Sequence, residues 1–190
     1  MTVELVSVGT EILMGNILNS NTQYLAEKCA MLGFNMYHQV TVGDNYGRMK
    51  EVVATAVNRA DIVILTGGLG PTEDDLTKEV CAEVMGMELV EDPHTRQHIE
   101  EFFHNNIYRE IPANNWKMTT VPRGARVLDN HNGMAPGLIL EKDGKTAILL
   151  PGPPGELYPM FEQQVFPYLE TRENASLVSK TLKICGHGES

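Results

Sequence analysis

Residues 61–65, DIVIL, form an apolar run with one charge at its start, and they lead straight into TGGLGPTEDDLT (66–77). A short unbroken apolar strand is buried on both faces, as in a parallel sheet covered by helices. The flanking segments agree. VELVSV (3–8) reads as a strand that stops at Gly9. NTQYLAEKCAML (21–32) sets Tyr24, Leu25, Cys29 and Leu32 at helical spacing, with Asn19, Ser20 or Asn21 able to cap its start and Gly33 suited to its left-handed stop. NMYHQVTV (35–42) reads as a second strand. A helix follows with Met49, Val52, Val53, Ala56 and Val57 on one face, and Asp44 or Asn45 can cap it. After the glycine loop another helix carries Leu76, Val80 and Val84 and ends at Gly86. The order β-α-β-α-β-loop-α implies right-handed crossovers and an α/β fold with helices on both faces of the sheet.

The second half is less regular. Residues 93–106 are expected to be helical around Ile99, Phe102 and Phe103, and 111–118 to form a short helix after Pro112. Short strands are expected near 126–128, 137–141 and 146–150, the last two as a hairpin turning at Asp143-Gly144. The loop PGPPGE (151–156) precedes a helix near 156–166, and LVSKTLKIC (177–185) reads as a further strand. Met31, Met36, Met49, Met85 and Met87 are expected to fill the core.

At 190 residues, 42% hydrophobic and 21% charged, the chain suits one core with a minor appendage. A net charge of -10 and the lack of a basic run argue against duplex nucleic acid and an anionic membrane surface as partners. No stretch approaches the ~18 apolar residues of a membrane helix. Cys29, Cys81 and Cys185 are far apart and form no CxxC pair, so no disulfide framework is expected and a cytoplasmic location is.

In open parallel sheets, ligands bind beyond the carboxyl ends of the strands. Four loops leave strands here: VGTEI (8–12), VGDN (42–45), TGGLGPTEDD (66–75) and PGPPGE (151–156). If those strands are parallel, the loops share one rim. Gly9, Thr10, Glu11, Thr66, Gly67, Gly68, Gly70, Pro71, Thr72, Gly152 and Pro153 are then the candidate phosphate- or nucleotide-binding residues. Gly67, Gly68 and Gly70 allow sharp turns that present N–H groups to an anion. The following helix adds its positive end, and Lys78 is the nearby base. GxxxxGK[ST] and GxGxxG are both absent, which removes ordinary ATPase and dehydrogenase readings.

Glu73, Asp74 and Asp75 would repel phosphate, by about 3 kcal/mol at roughly 5 Å and an effective dielectric near 20. A divalent cation reverses the sign. Oxygen ligands favour Mg²⁺ or a similar ion, with Asp75, Asp74 and Glu156 as candidate ligands. The alternative is a helix N-terminus capped by Thr72 or Asp74. His94 and His98 lie four apart, but Thr95 stands where HExxH carries glutamate, so they read as an exposed helical face. Trp116 is open to stacking on a base, to packing or to a subunit contact.

SVGTEILMGNILNSNTQYLAEKCAMLGF, VGDN, ADIVILTGGLGPTEDDLTKEV, GMAPGL and LPGPPGEL together resemble the N-terminal domain of the CinA competence/damage-inducible proteins, over about residues 3–170. That domain is similar to the molybdopterin-binding proteins MogA, MoaB and part of MoeA. The resemblance implies a three-layer α/β/α fold with a mostly parallel sheet over 1–170, and the truncated start of a KH-like linker domain over 171–190. It implies a glycine loop that holds a phosphate, and it matches Asp44 and Asp75 to the family's acidic pair as catalytic residues. In CinA proteins the domain is associated with metal-dependent ADP-ribose pyrophosphatase activity, and the usual C-terminal half is a nicotinamide-mononucleotide deamidase. Where relatives carry a Lys-Gln-Ala-like segment this chain reads NNWKMTTVPRGA, so no substrate contact is transferred to Lys117. The expected activity is a metal-dependent hydrolase of ADP-ribose or a similar nucleotide. The alternatives are pterin binding with adenylyl or molybdate transfer, or a non-catalytic nucleotide module. The expected partners are a nucleotide or pterin phosphate and further copies of the chain, as a dimer or trimer.

Overall fold

The computed structural model describes residues 1–105 and 110–172. The expected strand at 177–185 and nearly all of the linker domain placed at 171–190 lie outside them.

In chain order the strands are β1 (Thr2–Val8), β2 (Asn35–Val42), β3 (Ile62–Thr66), β4 (Leu89–Glu91), β5 (Thr120–Pro122), β6 (Arg126–Leu128), β7 (Gly137–Lys142) and β8 (Lys145–Leu150). The helices are α1 (Thr10–Leu13), α2 (Ser20–Met31), α3 (Tyr46–Arg59), α4 (Thr77–Val84), α5 (Pro93–Asn105), α6 (Pro154–Met160) and α7 (Phe166–Glu170). A 3₁₀ segment covers Ala113–Thr119, and a π-helical stretch at Phe161–Val165 joins α6 to α7.

The main sheet has the order β2-β1-β3-β8-β7-β6. β1, β2, β3 and β8 are mutually parallel, whereas β7 and β6 add antiparallel pairs at one edge. All four loop-bearing strands therefore point the same way, as expected. The β7–β8 hairpin turns at Asp143 and Gly144, both at positive φ (50° and 76°), as a tight primed turn requires. β4 and β5 pair antiparallel in a separate small sheet.

Alternation along the strands builds two apolar layers. Val6, Val63 and Leu65 pack with Met49 and Val53 of α3 and Val80 of α4. Val3, Leu5, Ile62 and Ile64 face the other way, onto Leu25 and Cys29 of α2 and Leu157 and Phe161 beyond β8. Burying one such aliphatic side chain is worth about 1.5–3 kcal/mol, so the stacked layers set the position of the rim. Burial also pushes the Cys29 thiol up to about 12, and Cys29 and Cys81 are both free and buried. A third cluster, Ile99, Phe103 and Met118, sits under α5 and the 3₁₀ segment, with Trp116 packed against it.

Within β1, Glu4 is buried and accepts two hydrogen bonds from Arg59 at 2.7 and 2.6 Å. Met49 and Met85 are buried as expected, but Met31 is 58% exposed at the last position of α2, where its face has turned to solvent.

The helix starts were only partly anticipated. Asn19 caps α2 and Asn45 caps α3, each accepting from the backbone N–H three residues on. α4 begins at Thr77, so Leu76, expected within the helix, stands at its cap position, with no side-chain cap. Neither Thr72 nor Asp74 caps it. Residues 72–75 instead form their own turn, closed by Asp75, and Thr77 N–H bonds back to the Gly68 carbonyl.

Candidate functional site

The four loops do meet. Beyond the carboxyl ends of β1, β3 and β8 lies a cleft of about 620 Å³. Its lining includes Gly9, Glu11, Asp44, Thr66, Gly67, Gly68, Gly70, Pro71, Thr72, Asp74, Asp75, Gly152, Pro153 and Glu156. Thr10 is the candidate that does not line it. Its N–H and hydroxyl both donate to Asp44 Oδ2, at 2.9 and 2.8 Å, so Thr10 orients Asp44.

The glycine arm is shaped by close backbone approach. Gly67 has φ 92°, and a Cβ there would lie 2.3 Å from the Val8 carbonyl oxygen. Gly68 has φ 67°, and its Cβ would lie 2.2 Å from Thr77 Oγ1. Thr77 is itself pinned, donating from Oγ1 to the Gly67 carbonyl at 2.8 Å. Gly67 N–H is taken by the Leu150 carbonyl. Among the described residues, no hydrogen bond uses the N–H groups of Gly68, Leu69 or Gly70. Three successive backbone donors beside a cleft are what an anion needs.

The acidic arm is held by side chains. Asp75 Oδ2 accepts from Thr72 N–H at 2.9 Å and from Thr72 Oγ1 at 2.6 Å. Lys117 Nζ donates to the Thr72 carbonyl at 2.7 Å and to the Asp75 carbonyl. Glu156 Oε2 accepts from the buried Asn130 at 2.6 Å. One oxygen each of Asp44, Asp75 and Glu156 is then unused by the hydrogen bonds of the described residues. Among those residues, no three His, Cys, Asp or Glu side chains converge to hold a metal ion. Asp74, Asp75 and Glu156, the candidate metal ligands, all line the cleft without forming such a cluster.

Lys78 does not serve the phosphate loop as its base. It is buried in α4 and donates to the Lys117 carbonyl at 2.6 Å and to Thr120 Oγ1 at 3.1 Å. Burial pulls its ammonium below the ordinary lysine range, and Glu79 partly offsets this. Lys78 anchors the 3₁₀ segment, and Lys117 on that segment anchors the acidic turn. Sequence reading set Lys117 aside, and only the fold brings it to residues 72–75. His94 and His98 do not converge: His94 pairs with Asp129 at 2.6 Å and His98 with the Gly133 carbonyl at 3.2 Å. Trp116 lies under the Arg96 guanidinium, 4.8 Å from its ring centre. The lining also contains Asn21, Leu18, Met118 and Met134, which sequence reading did not assign to the site. Of these, Asn21 carried a signal in its asparagine-rich stretch, which was read only as a helix cap.

Comparison with known proteins agrees with this geometry. Residues 4–171 match the family described as Probable molybdopterin binding domain. A relative in Caldicellulosiruptor bescii, named as a competence-damage inducible protein, is 53% identical over 190 residues, covering all of this chain and 46% of its own length. The chain thus spans about half the length of the curated relatives it matches. The crystal structure of CinA from Thermoplasma acidophilum superposes with a TM-score of 0.79 at 30% identity, over 85% of this chain and 94% of that one. MoaB of Thermus thermophilus, a molybdopterin biosynthesis enzyme, shares the fold with a TM-score of 0.55 at 17% identity, over 90% and 96% of the two chains. With the glycine arm, the parallel rim and these matches together, the chain belongs to the molybdopterin-binding domain family, in the form carried by CinA competence-damage inducible proteins.

Proposed function

We propose that the cleft binds a small phosphorylated ligand with a heteroaromatic ring, a pterin phosphate or a nucleotide, with its phosphate on the glycine arm. The observation that carries this reading is the backbone of Gly68, Leu69 and Gly70, which lines the cleft at the carboxyl rim of a parallel sheet and whose N–H groups have no hydrogen-bond partner among the described residues. The family description and the molybdopterin-biosynthesis relative favour the pterin member of that class. Titration calorimetry with a pterin phosphate, ADP-ribose, ADP and inorganic pyrophosphate tests it, with and without Mg²⁺. Saturable binding that pyrophosphate competes away is expected. No binding of any of them to the folded chain, in either condition, refutes it.

The carboxylates favour a second, catalytic reading: hydrolysis of the pyrophosphate of ADP-ribose or a similar nucleotide. A divalent cation, when bound, would neutralise phosphate charge and activate water. Asp75 and Glu156 would help hold it, and Asp44, fixed by Thr10, would take a proton from the attacking water. Release of AMP from ADP-ribose with Mg²⁺, Mn²⁺ or Co²⁺ is the assay. Binding without turnover under all three leaves a non-catalytic module. Self-association belongs to the same reading, and the exposed Leu13, Met14 and Leu18 (86% exposed) support it. Light scattering should report a dimer or trimer; a monomer at all concentrations removes it.

A further inference from the structure

Residues 19–22, Asn-Ser-Asn-Thr, open α2 at the rim of the cleft. Asn19 and Thr22 are fully engaged in holding the fold. Asn19 Oδ1 accepts from Thr22 N–H at 3.2 Å, Asn19 Nδ2 donates to Ser7 Oγ at 2.9 Å, and the Ser7 and Thr22 hydroxyls lie 2.9 Å apart. Asn21 differs. Its Nδ2 donates to the Gly152 carbonyl at 2.7 Å. A carbonyl only accepts, so this bond fixes which way round the amide lies. Its Oδ1 is left as an acceptor with no partner among the described residues, in a residue only 6% exposed that lines the cleft.

Thr66 repeats the pattern. Alternation along β3 puts it on the face of Ile62 and Ile64, the face that α2 covers. In register it stands beside Ser7 of β1. Thr66 is 3% exposed, lines the same cleft, and its hydroxyl has no partner among the described residues. Gly152, which receives the Asn21 amide, packs against Gly67: a Cβ on it would lie 3.6 Å from the Gly67 Cα. Two unpartnered buried polar atoms therefore sit on one side of the sheet, next to the glycine arm. Buried polar atoms are nearly always paired, so a clustered exception at a cleft calls for a reason.

We propose that Asn21 reads the ligand: its Oδ1 accepts a hydrogen bond from an N–H or O–H group carried next to the bound phosphate, and the Thr66 hydroxyl completes the contact. The donor is an amino group on the heterocycle or a hydroxyl of the sugar. This rests on the proposed binding of a phosphorylated ring ligand and adds its selectivity. A site built around a buried acceptor discriminates strongly against analogues that lack the donor, because the acceptor is then left unpaired. An apolar pocket of the same size would not.

The test compares ligands on the unmodified chain by calorimetry, then repeats the comparison on Asn21→Ala. The probes are GMP against IMP, which lacks the 2-amino group, and AMP against purine riboside monophosphate, which lacks the 6-amino group. The 2′,3′-dideoxy forms of GMP and AMP and inorganic pyrophosphate complete the set. The donor-bearing partner of at least one pair should bind about tenfold more tightly. That preference should vanish in Asn21→Ala, and any weakening from the lost Gly152 contact should fall equally on both partners of each pair and on pyrophosphate. A preference confined to the amino pairs assigns the ring; one confined to the dideoxy forms assigns the sugar. Equal binding within every pair on the unmodified chain overturns the role of Asn21 and leaves the cleft reading intact. So does a preference that survives Asn21→Ala. If neither pyrophosphate nor any nucleotide nor a pterin phosphate binds, both fall together.

Discussion

The two arms of the cleft are built on opposite principles. The glycine arm, residues 66–70, takes its shape from the backbone: Gly67 and Gly68 lie at positive φ, with no room for a Cβ against the Val8 carbonyl or Thr77. The acidic arm, residues 72–75, takes its shape from side chains: Asp75 closes the turn onto Thr72, and Lys117 ties both carbonyls from a distant segment. One arm resists any substitution at its glycines. The other can be retuned one charge at a time. Under the proposed function, the contrast would divide the work of holding an anion: fixed N–H donors from the rigid arm, and adjustable charge from the other.

Gly67→Ala strikes the rigid arm and should have the largest effect. Strain at positive φ plus the clash with Val8 should cost about 3 kcal/mol, read as a lower urea midpoint, with phosphate-ligand binding lost. An unchanged midpoint with retained affinity would dissolve the distinction between the arms.

Asp75→Asn keeps an acceptor for Thr72 but removes the charge. Without a divalent ion, binding of pyrophosphate or ADP should then tighten by about tenfold, a screened remnant of the direct repulsion. Any enhancement by Mg²⁺ should shrink or disappear. Calorimetry in chelator and in Mg²⁺ reads both, and a variant that binds more weakly in chelator would contradict the charge argument.

Lys117→Met should loosen the acidic arm alone. Losing two hydrogen bonds to backbone carbonyls should cost about 1–2 kcal/mol. Amide exchange should quicken at Thr72 and Asp75 and stay slow at Gly67. Equal quickening at both would mean the arms are one unit.

The smallest effect is a control outside both arms. Asp129, through its hydrogen bond and then its charge, holds the His94 imidazole above the usual histidine range. A raised folded-state value means the contribution is complete below the unfolded value, near about pH 6.5, and is lost as pH rises through the folded one. The pair is exposed, so the amount is less than about 0.5 kcal/mol. His94→Gln should flatten this slope in denaturant midpoints measured across pH, with ligand binding unchanged. A slope that persists would place its origin elsewhere.

Much of the fold was legible because its signals are local. The DIVIL run, the Asp143-Gly144 turn, the Asn19 and Asn45 caps and the order of elements each depend on a few neighbouring residues. The convergence of the loops followed from the parallel strands, so nearly every candidate site residue did reach the cleft lining. The alternative that Thr72 or Asp74 caps α4 rested on the helix-N-terminus composition of Thr72-Glu73-Asp74-Asp75, and it fails because α4 starts at Thr77. A contact from Lys117, some forty residues away, stabilises the competing turn.

Sequence alone determined the layering, the parallel rim and the glycine loop upon it, since hydrophobic periodicity and backbone freedom are properties of short stretches. Tertiary structure alone decided what each polar side chain does there. Lys78 became an internal anchor, Lys117 a clamp, Thr10 a support for Asp44, and Asn21 a donor to the Gly152 carbonyl. Those roles depend on hydrogen bonds between groups far apart along the chain, and only the packed layers bring such groups within 3 Å of one another.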